Sequence, residues 1–135
     1  MRTTLALLAT AAAIGMSGAV YGCGVCVEDK IAATYDHAVI RDAIAAHRQV
    51  IFVALDGNDA TRIGQRIVSA AARVPGMQKA SLRYAVSPPA MSFAVAKVVA
   101  PDKALAAFQK AVAGMDVRMR IVRIMRDGAL VDPSG

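Results

Sequence analysis

The apolar run VIFVAL at residues 50–55, which Asp56 and Gly57 end, constrains the fold of this chain more than any other feature. A run of this length without alternating polar residues is typical of a strand that is buried on both faces. Such a strand lies inside a sheet, and each face of that sheet needs a cover. The rest of the chain therefore has to supply two covering layers.

The stretches that follow residues 50–55 alternate between helical and strand patterns. Apolar residues recur at helical spacing after Asp59, and Pro75-Gly76 ends that helix. Alternation of apolar and polar residues then predicts strands on both sides of a turn at Ser87-Pro88-Pro89. The predicted elements are a helix at 60–73, strands at 79–86 and 91–99, a helix at 103–113, and a strand at 117–125 with a bulge near Val122-Arg123.

This order predicts an α+β protein with the ferredoxin-like βαββαβ arrangement, in which an antiparallel sheet carries two helices on one face. Residues 28–48 lack Gly and Pro and place Ile31, Tyr35 and Val39 on one face, so they predict one extra N-terminal helix. Either this helix or a second copy of the chain, in a homodimer, covers the other face of the sheet. The tail at residues 127–135 is predicted to be loop.

The first 22 residues have the features of a secretory signal peptide. Arg2 precedes an apolar run at residues 5–16, and small residues follow it. The run is short for a helix that crosses a bilayer, which argues against a retained anchor. Cleavage fits after Ala19 or directly before Cys23, and the second alternative would give a lipoprotein anchored to the membrane through Cys23. Both alternatives predict an exported protein of the periplasm or envelope.

Composition excludes several functional classes. The chain has 16 Lys and Arg, 10 Asp and Glu, and a formal net charge of +6, which becomes +5 when Arg2 leaves with the leader. It has no Trp, three Tyr and three Phe, so the stacking aromatics that accompany a nucleic-acid surface are missing. A Ser-His-Asp set, a glycine-rich phosphate loop and a close carboxylate pair are also missing, and no enzyme is predicted. The charge favours an anionic lipid or an acidic partner.

The two cysteines of the sequence, Cys23 and Cys26, form a C-x-x-C motif in the stretch YGCGVCVEDK. Two thiolates at this spacing can bind one soft ion, such as Cu(I), Hg(II) or Zn(II), because Gly24-Val25 lets the sulfurs converge. Linear Cu(I) or Hg(II) needs two ligands, whereas Zn(II) needs two more. His37 is a weak third candidate, because ten residues along a helix separate it from Cys26 by roughly 15 Å.

Two other interpretations of the cysteine pair remain open. A thiol directly before a helix gains thiolate character from the helix dipole, which suits a thiol–disulfide couple. Against this, the buried strand that precedes the motif in thioredoxins is missing, and Glu28 and Asp29 oppose the thiolate. In an oxidising compartment the pair can also form a structural disulfide on a non-catalytic interaction module.

Residues 50 to about 125 resemble the heavy-metal-associated domains of copper chaperones, periplasmic mercury-binding proteins and metal-pumping ATPases. The resemblance lies in VIFVALDG at 50–57, RIGQRIVSAAARVPGM at 62–77 and AVAGMDVRMRI at 111–121. It implies a ferredoxin-like domain over residues 49–126, after the leader at 1–22 and the cysteine segment with its helix at 23–48. It also implies a thiophilic cargo, copper first, and a metal-donor or metal-acceptor partner in the envelope.

The chain departs from that family at the metal-binding loop. The family motif G-M-x-C-x-x-C falls on residues 57–63, where Ala60 and Ile63 occupy the two cysteine places. Neither side chain can bind a soft metal, so the family's ligands are not carried over. The sequence therefore predicts that Cys23 and Cys26 bind or relay the ion. The methionines of the mature chain are predicted to fill the core.

Overall fold

The computed structural model describes residues 26–134, which form a five-stranded antiparallel sheet and four helices. The predicted leader and Cys23 lie outside these residues. Within residues 26–134 no helix combines the length and apolarity needed to cross a bilayer. The elements are α1 (Val27–Thr34), α2 (His37–Ala45), β1 (Arg48–Asp56), α3 (Gly64–Ala70), which a short 3₁₀ turn (Ala71–Arg73) extends, β2 (Met77–Val86), β3 (Pro89–Ala96), α4 (Pro101–Ala111), β4 (Arg118–Arg126) and β5 (Ala129–Val131).

Strand β1 lies in the centre of the sheet, whose order is β2-β3-β1-β4-β5. It pairs antiparallel with β3 on one side and with β4 on the other. Every residue from Val50 to Leu55 is at most 1% exposed. The prediction of a strand buried on both faces is confirmed.

Helices α3 and α4 cover one face of the sheet. Ile51, Val53 and Leu55 point to this side and pack with apolar residues of both helices. The rings of Phe93 and Phe108 meet here with their centroids 4.9 Å apart in a tilted arrangement. Burial of large apolar side chains on this face is a main source of stability, at about 25 cal/mol per Å² removed from water.

Helices α1 and α2 cover the opposite face of the sheet. Val50, Phe52 and Ala54 pack there against buried residues of both helices, among them Ile31 and Ile40. The rings of Tyr35 and Phe52 stack with centroids 6.5 Å apart. Of the two covers considered for this face, the chain's own helical segment is the one found in the described residues.

That segment is two helices, and the prediction of one helix over residues 28–48 is wrong. Tyr35 and Asp36 have extended backbone angles, and Asp36 begins α2 as its N-cap. Its carboxylate accepts hydrogen bonds from the N–H groups of Ala38 and Val39 at 2.9 and 3.3 Å. The same carboxylate lies 2.9 Å from the guanidinium of Arg83 on β2. Because these bonds compensate for the interrupted helix, the chain turns here and lays both helices on the sheet.

The prediction that the tail is loop is wrong for three residues. Ala129–Val131 pairs with the end of β4 and forms the short edge strand β5. Asp127 and Gly128 form the turn with positive φ angles of 51° and 82°. Asp-Gly is a favoured pair for such a two-residue hairpin turn. The bulge predicted in β4 is confirmed, since the register with β1 shifts so that Val122 is the extra residue.

Candidate functional site

Cys26 is the N-cap residue of α1, and its side chain is half-buried. Its backbone is extended, with φ −68° and ψ 146°, and its carbonyl accepts the first hydrogen bond of the helix, from the Lys30 N–H at 3.3 Å. The helix begins at Val27, one residue before the start predicted from the sequence. Cys26 therefore lies where the N-terminal segment enters the folded domain.

The helix that carries Cys26 is fixed to the sheet by polar contacts as well as by apolar packing. Lys30 is 7% exposed, and its Nζ donates to the Pro89 carbonyl at 3.3 Å and lies 3.8 Å from Asp56 Oδ1. At the other end of α1, Ser92 Oγ donates to the Thr34 carbonyl at 3.1 Å. The helix that follows Cys26 is therefore fixed to the sheet, which was not predicted from the sequence.

The first turn of α1 carries two acidic residues beside Cys26. Glu28 and Asp29 suit the positive end of the helix dipole and stabilise the helix. Their charge opposes formation of a thiolate at Cys26, whereas the dipole itself favours it. A soft cation bound to the thiolate would reduce this repulsion. Carboxylate oxygens are hard ligands, so they are not expected to compete for Cu(I).

The two histidines lie on elements other than α1. His37 is exposed at the start of α2, beyond the eight residues of α1 and the break at Tyr35-Asp36. His47 is exposed in the turn before β1 and has a φ angle of 53°. Among residues 26–134 no three His, Cys, Asp or Glu side chains converge as a metal-binding group. The structure therefore does not bring the weak candidate His37 into a ligand set with Cys26.

The loop that resembles a metal-binding loop is part of the apolar core. Ala60 is 1% exposed and Ile63 is fully buried, and both pack in the core beneath α3 and α4. Tyr84 closes over the loop, and its hydroxyl donates to the Ala60 carbonyl at 2.7 Å. The two positions are therefore occupied by core residues that contribute to stability.

Reciprocal hydrogen bonds between Asp59 and Asp116 hold this loop. The Asp59 carboxylate accepts from the Asp116 N–H at 2.9 Å, and the Asp116 carboxylate accepts from the Asn58 N–H at 2.9 Å. The Asp116 carbonyl also accepts from the Asp59 N–H at 3.1 Å. Gly57 has a φ of 116°, and a Cβ there would lie 2.2 Å from the Asp116 carbonyl oxygen, so only glycine fits.

Because of these contacts, the free energy of unfolding is expected to decrease at acidic pH. The N–H of Asp116, and then the Arg62 side chain, hold the pKa of Asp59 below its ordinary value of 3.8. The Arg83 side chain lowers the pKa of Asp36 in the same direction. Because both native values lie below the unfolded ones, the unfolded chain takes up more protons as the pH falls.

We therefore expect these carboxylates to leave the free energy of unfolding constant above about pH 5. Below that, the free energy of unfolding should fall as the pH drops through the native pKa values. Urea unfolding at a series of pH values between 2 and 7 checks this. Asp59→Asn should reduce the slope below pH 4, because one of the responsible carboxylates is gone. An unchanged slope in that variant would contradict the assignment to Asp59.

The methionines of the described chain are core residues, as predicted. Met91 is fully buried under α3 and α4, and Met125 is 7% exposed under α1 and α2. The other three, Met77, Met115 and Met119, are partly buried against the first of these cores. Packing accounts for these thioethers, so they are not needed as metal ligands.

An open groove of about 440 Å³ runs beside α1. It is lined by Glu28, Ile31, Ala32, Tyr35 and Leu130, with α1 on one side and β5 on the other. Leu130 and Tyr35 are nearly half exposed at its rim. The groove was not predicted from the sequence, because the residues of β5 were predicted to be loop.

No protein family, curated protein or solved structure matches the chain significantly. The contacts and chemistry of the described residues therefore carry the functional proposal.

Proposed function

We propose that the chain is an exported envelope protein that binds one soft metal ion, copper first, through Cys23 and Cys26 and relays it to a partner. The observation that carries the proposal is the position of Cys26 at the start of a helix that is fixed to the sheet. The loop that would otherwise hold such an ion is filled by Ala60 and Ile63. The C-x-x-C segment is thus the remaining soft-ligand pair of the sequence.

We also propose that the domain is of the ferredoxin-like type. Its elements follow the order β1-α3-β2-β3-α4-β4, and the strands lie in the order β2-β3-β1-β4 before the additional β5. Both orders support the resemblance to heavy-metal-associated domains. On this proposal α1 and α2 are an addition that occupies the second face and that begins next to Cys26.

The proposed chemistry is ligand exchange between thiolates. Each cysteine gives up its thiol proton as its sulfur binds the ion, and linear Cu(I) needs no third protein ligand. Cys26 is half-buried, so part of the residue is exposed to solvent. Transfer then exchanges one sulfur at a time, and the pair must be reduced for the ion to bind.

Competitive Cu(I) titration tests the proposal on the chain that begins at Val20, kept fully reduced under nitrogen. We expect one ion per chain to be withdrawn from a colorimetric Cu(I) chelator. The Cys23→Ser/Cys26→Ser variant should leave the chelator's copper in place, because a hydroxyl is a poor ligand for a soft ion. Met77→Leu and Met119→Leu are matched controls that remove other sulfurs, and both should titrate like the parent. Equal binding by parent and cysteine variant would overturn the proposal.

A further inference from the structure

The charges of residues 26–134 are distributed unevenly between the two ends of the sheet. The described chain carries fifteen Lys and Arg against ten Asp and Glu, which leaves +5. Between Asp59 and Asp102 the sequence contains six cationic residues and no acidic one. Three of these six, Arg73, Lys79 and Lys97, lie at or next to the end of the sheet where β2 begins and β3 finishes.

One end of the sheet, where β1 and β2 begin and where β3 and β4 finish, is called the cationic end below. Its turns contact each other directly. Arg48 Nη1 donates to the Gly76 carbonyl at 2.8 Å, and the Ala96 N–H donates to the same oxygen at 3.1 Å. Lys97 forms an ion pair with Asp127, which joins the turn after β3 to the turn after β4. The cationic end is therefore one continuous surface.

The cationic end carries a net charge of +4, whereas the opposite end, which includes Cys26, carries +1. The cationic end has three acidic residues, Asp42, Asp102 and Asp127, of which Asp42 pairs with the adjacent Arg41, and the opposite end has five. Arg73, Lys79 and Lys103 are exposed, and the structure gives them no acidic partner among the described residues. The cations of the cationic end are Arg41, Arg48, Arg73, Lys79, Lys97, Lys103 and Arg126; the charges of the opposite end are Lys30, Arg62, Arg66, Lys110, Arg118 and Arg120 against Glu28, Asp29, Asp56, Asp59 and Asp116.

An apolar residue projects from the cationic end. Val98 is 94% exposed in the turn between β3 and α4, directly after Lys97. Its neighbour Val99 instead packs inward, with its Cγ2 3.0 Å from the place where a Gly76 Cβ would lie. A projecting valine among cations complements a flat, anionic headgroup layer, which the side chain can enter. An acidic protein partner would need a matching hole for Val98.

We propose that the cationic end binds the surface of an anionic phospholipid bilayer, with Val98 entering the headgroup layer. In this orientation the opposite end, with Cys26, points away from the membrane. Each cation near an anionic surface strengthens binding about fivefold, so the excess at this end is large enough for reversible attachment. The inference does not depend on metal binding, because Cys26 lies at the other end of the sheet.

Vesicle co-sedimentation tests the proposal on the reduced, unlipidated chain that begins at Val20. Vesicles of phosphatidylcholine with about one third phosphatidylglycerol should bind the chain, and vesicles of phosphatidylcholine alone should not. Binding should weaken with added salt, because salt screens the attraction. The Cys23→Ser/Cys26→Ser variant should bind vesicles like the parent, which separates this proposal from the metal proposal.

Two triple variants with the same net charge locate the surface. Arg73→Gln/Lys79→Gln/Lys103→Gln should weaken vesicle binding about 100-fold, since about fivefold is lost for each cation. Lys110→Gln/Arg118→Gln/Arg120→Gln, at the opposite end, should weaken it less than about fivefold. Val98→Asp should also weaken binding, because it places an anion at the tip.

Equal losses in the two triple variants would overturn the proposal, because net charge alone would then explain the binding. Tight binding to soluble polyglutamate without binding to anionic vesicles would also overturn it, and would identify an acidic protein as the partner.

Discussion

Replacing Phe52 by alanine is expected to lower the free energy of unfolding by about 3–5 kcal/mol. Phe52 is 1% exposed in the centre of the sheet, beneath α1 and α2, and stacks on Tyr35. Its loss leaves a cavity under α1, which begins next to Cys26, and under α2. Urea unfolding measures the change.

Val68→Ala is the control for Phe52→Ala, because Val68 is 65% exposed on α3. It should change the free energy of unfolding by no more than about 0.5 kcal/mol. Amide hydrogen exchange should also quicken in α1 and α2 of the Phe52 variant before it quickens in α4. A loss below about 1 kcal/mol would mean that the two helices do not pack on Phe52 as described.

Replacing Ile63 by alanine is expected to lower the free energy of unfolding by about 2–5 kcal/mol. In a metal-binding loop this position would be a surface ligand, and truncation would cost little stability. Here Ile63 is fully buried between the sheet and the helices α3 and α4. The size of the decrease in the free energy of unfolding therefore distinguishes a core residue from a surface position in a metal-binding loop.

Thr61→Ala, two residues away in an exposed position, is the matched control for Ile63→Ala. It should change stability by no more than about 0.5 kcal/mol. Copper binding by Ile63→Ala, measured at a temperature where the variant is folded, should equal that of the parent. Loss of copper binding in the folded variant would place a ligand in this loop.

The strong periodic patterns of the sequence predicted the centre of the fold. The apolar run at residues 50–55 identified the central strand, and its lack of polar residues required two covers, which α1–α2 and α3–α4 provide. The irregular alternation after Arg120 predicted a bulge near Val122-Arg123, and the structure places it at Val122. These features depend on side-chain periodicity, which can be seen in a short window of the sequence.

Two features needed information that periodicity does not carry. The helical pattern of residues 28–48 runs through the break at Tyr35-Asp36, because the break depends on the distant Arg83 that binds Asp36. The Asp127-Gly128 pair is a local hairpin signal, but β5 is three residues long and its pattern is too short to recognise.

The sequence predicted a helix directly after the cysteine segment, and metal binding by Cys23 and Cys26 stays a prediction. Cys26 and the start of α1 followed from the order of residues, but the role of Lys30 did not. From sequence alone, Lys30 in the first turn of a helix is expected to be a surface residue. Only the tertiary fold brings it to Pro89 and Asp56. The burial of Ala60 and Ile63 was consistent with their apolar character, whereas the Asp59–Asp116 contacts join loops that are distant in sequence.

The most direct test of the metal proposal is the native mass of the reduced chain that begins at Val20, recorded after addition of one equivalent of Cu(I). The proposal predicts a mass gain of one copper ion per chain, held by the two cysteine thiolates. The same measurement on Cys23→Ser/Cys26→Ser should show the mass of the unmetallated chain. A fully reduced parent that gains no copper, or a serine variant that gains as much as the parent, would contradict the proposal.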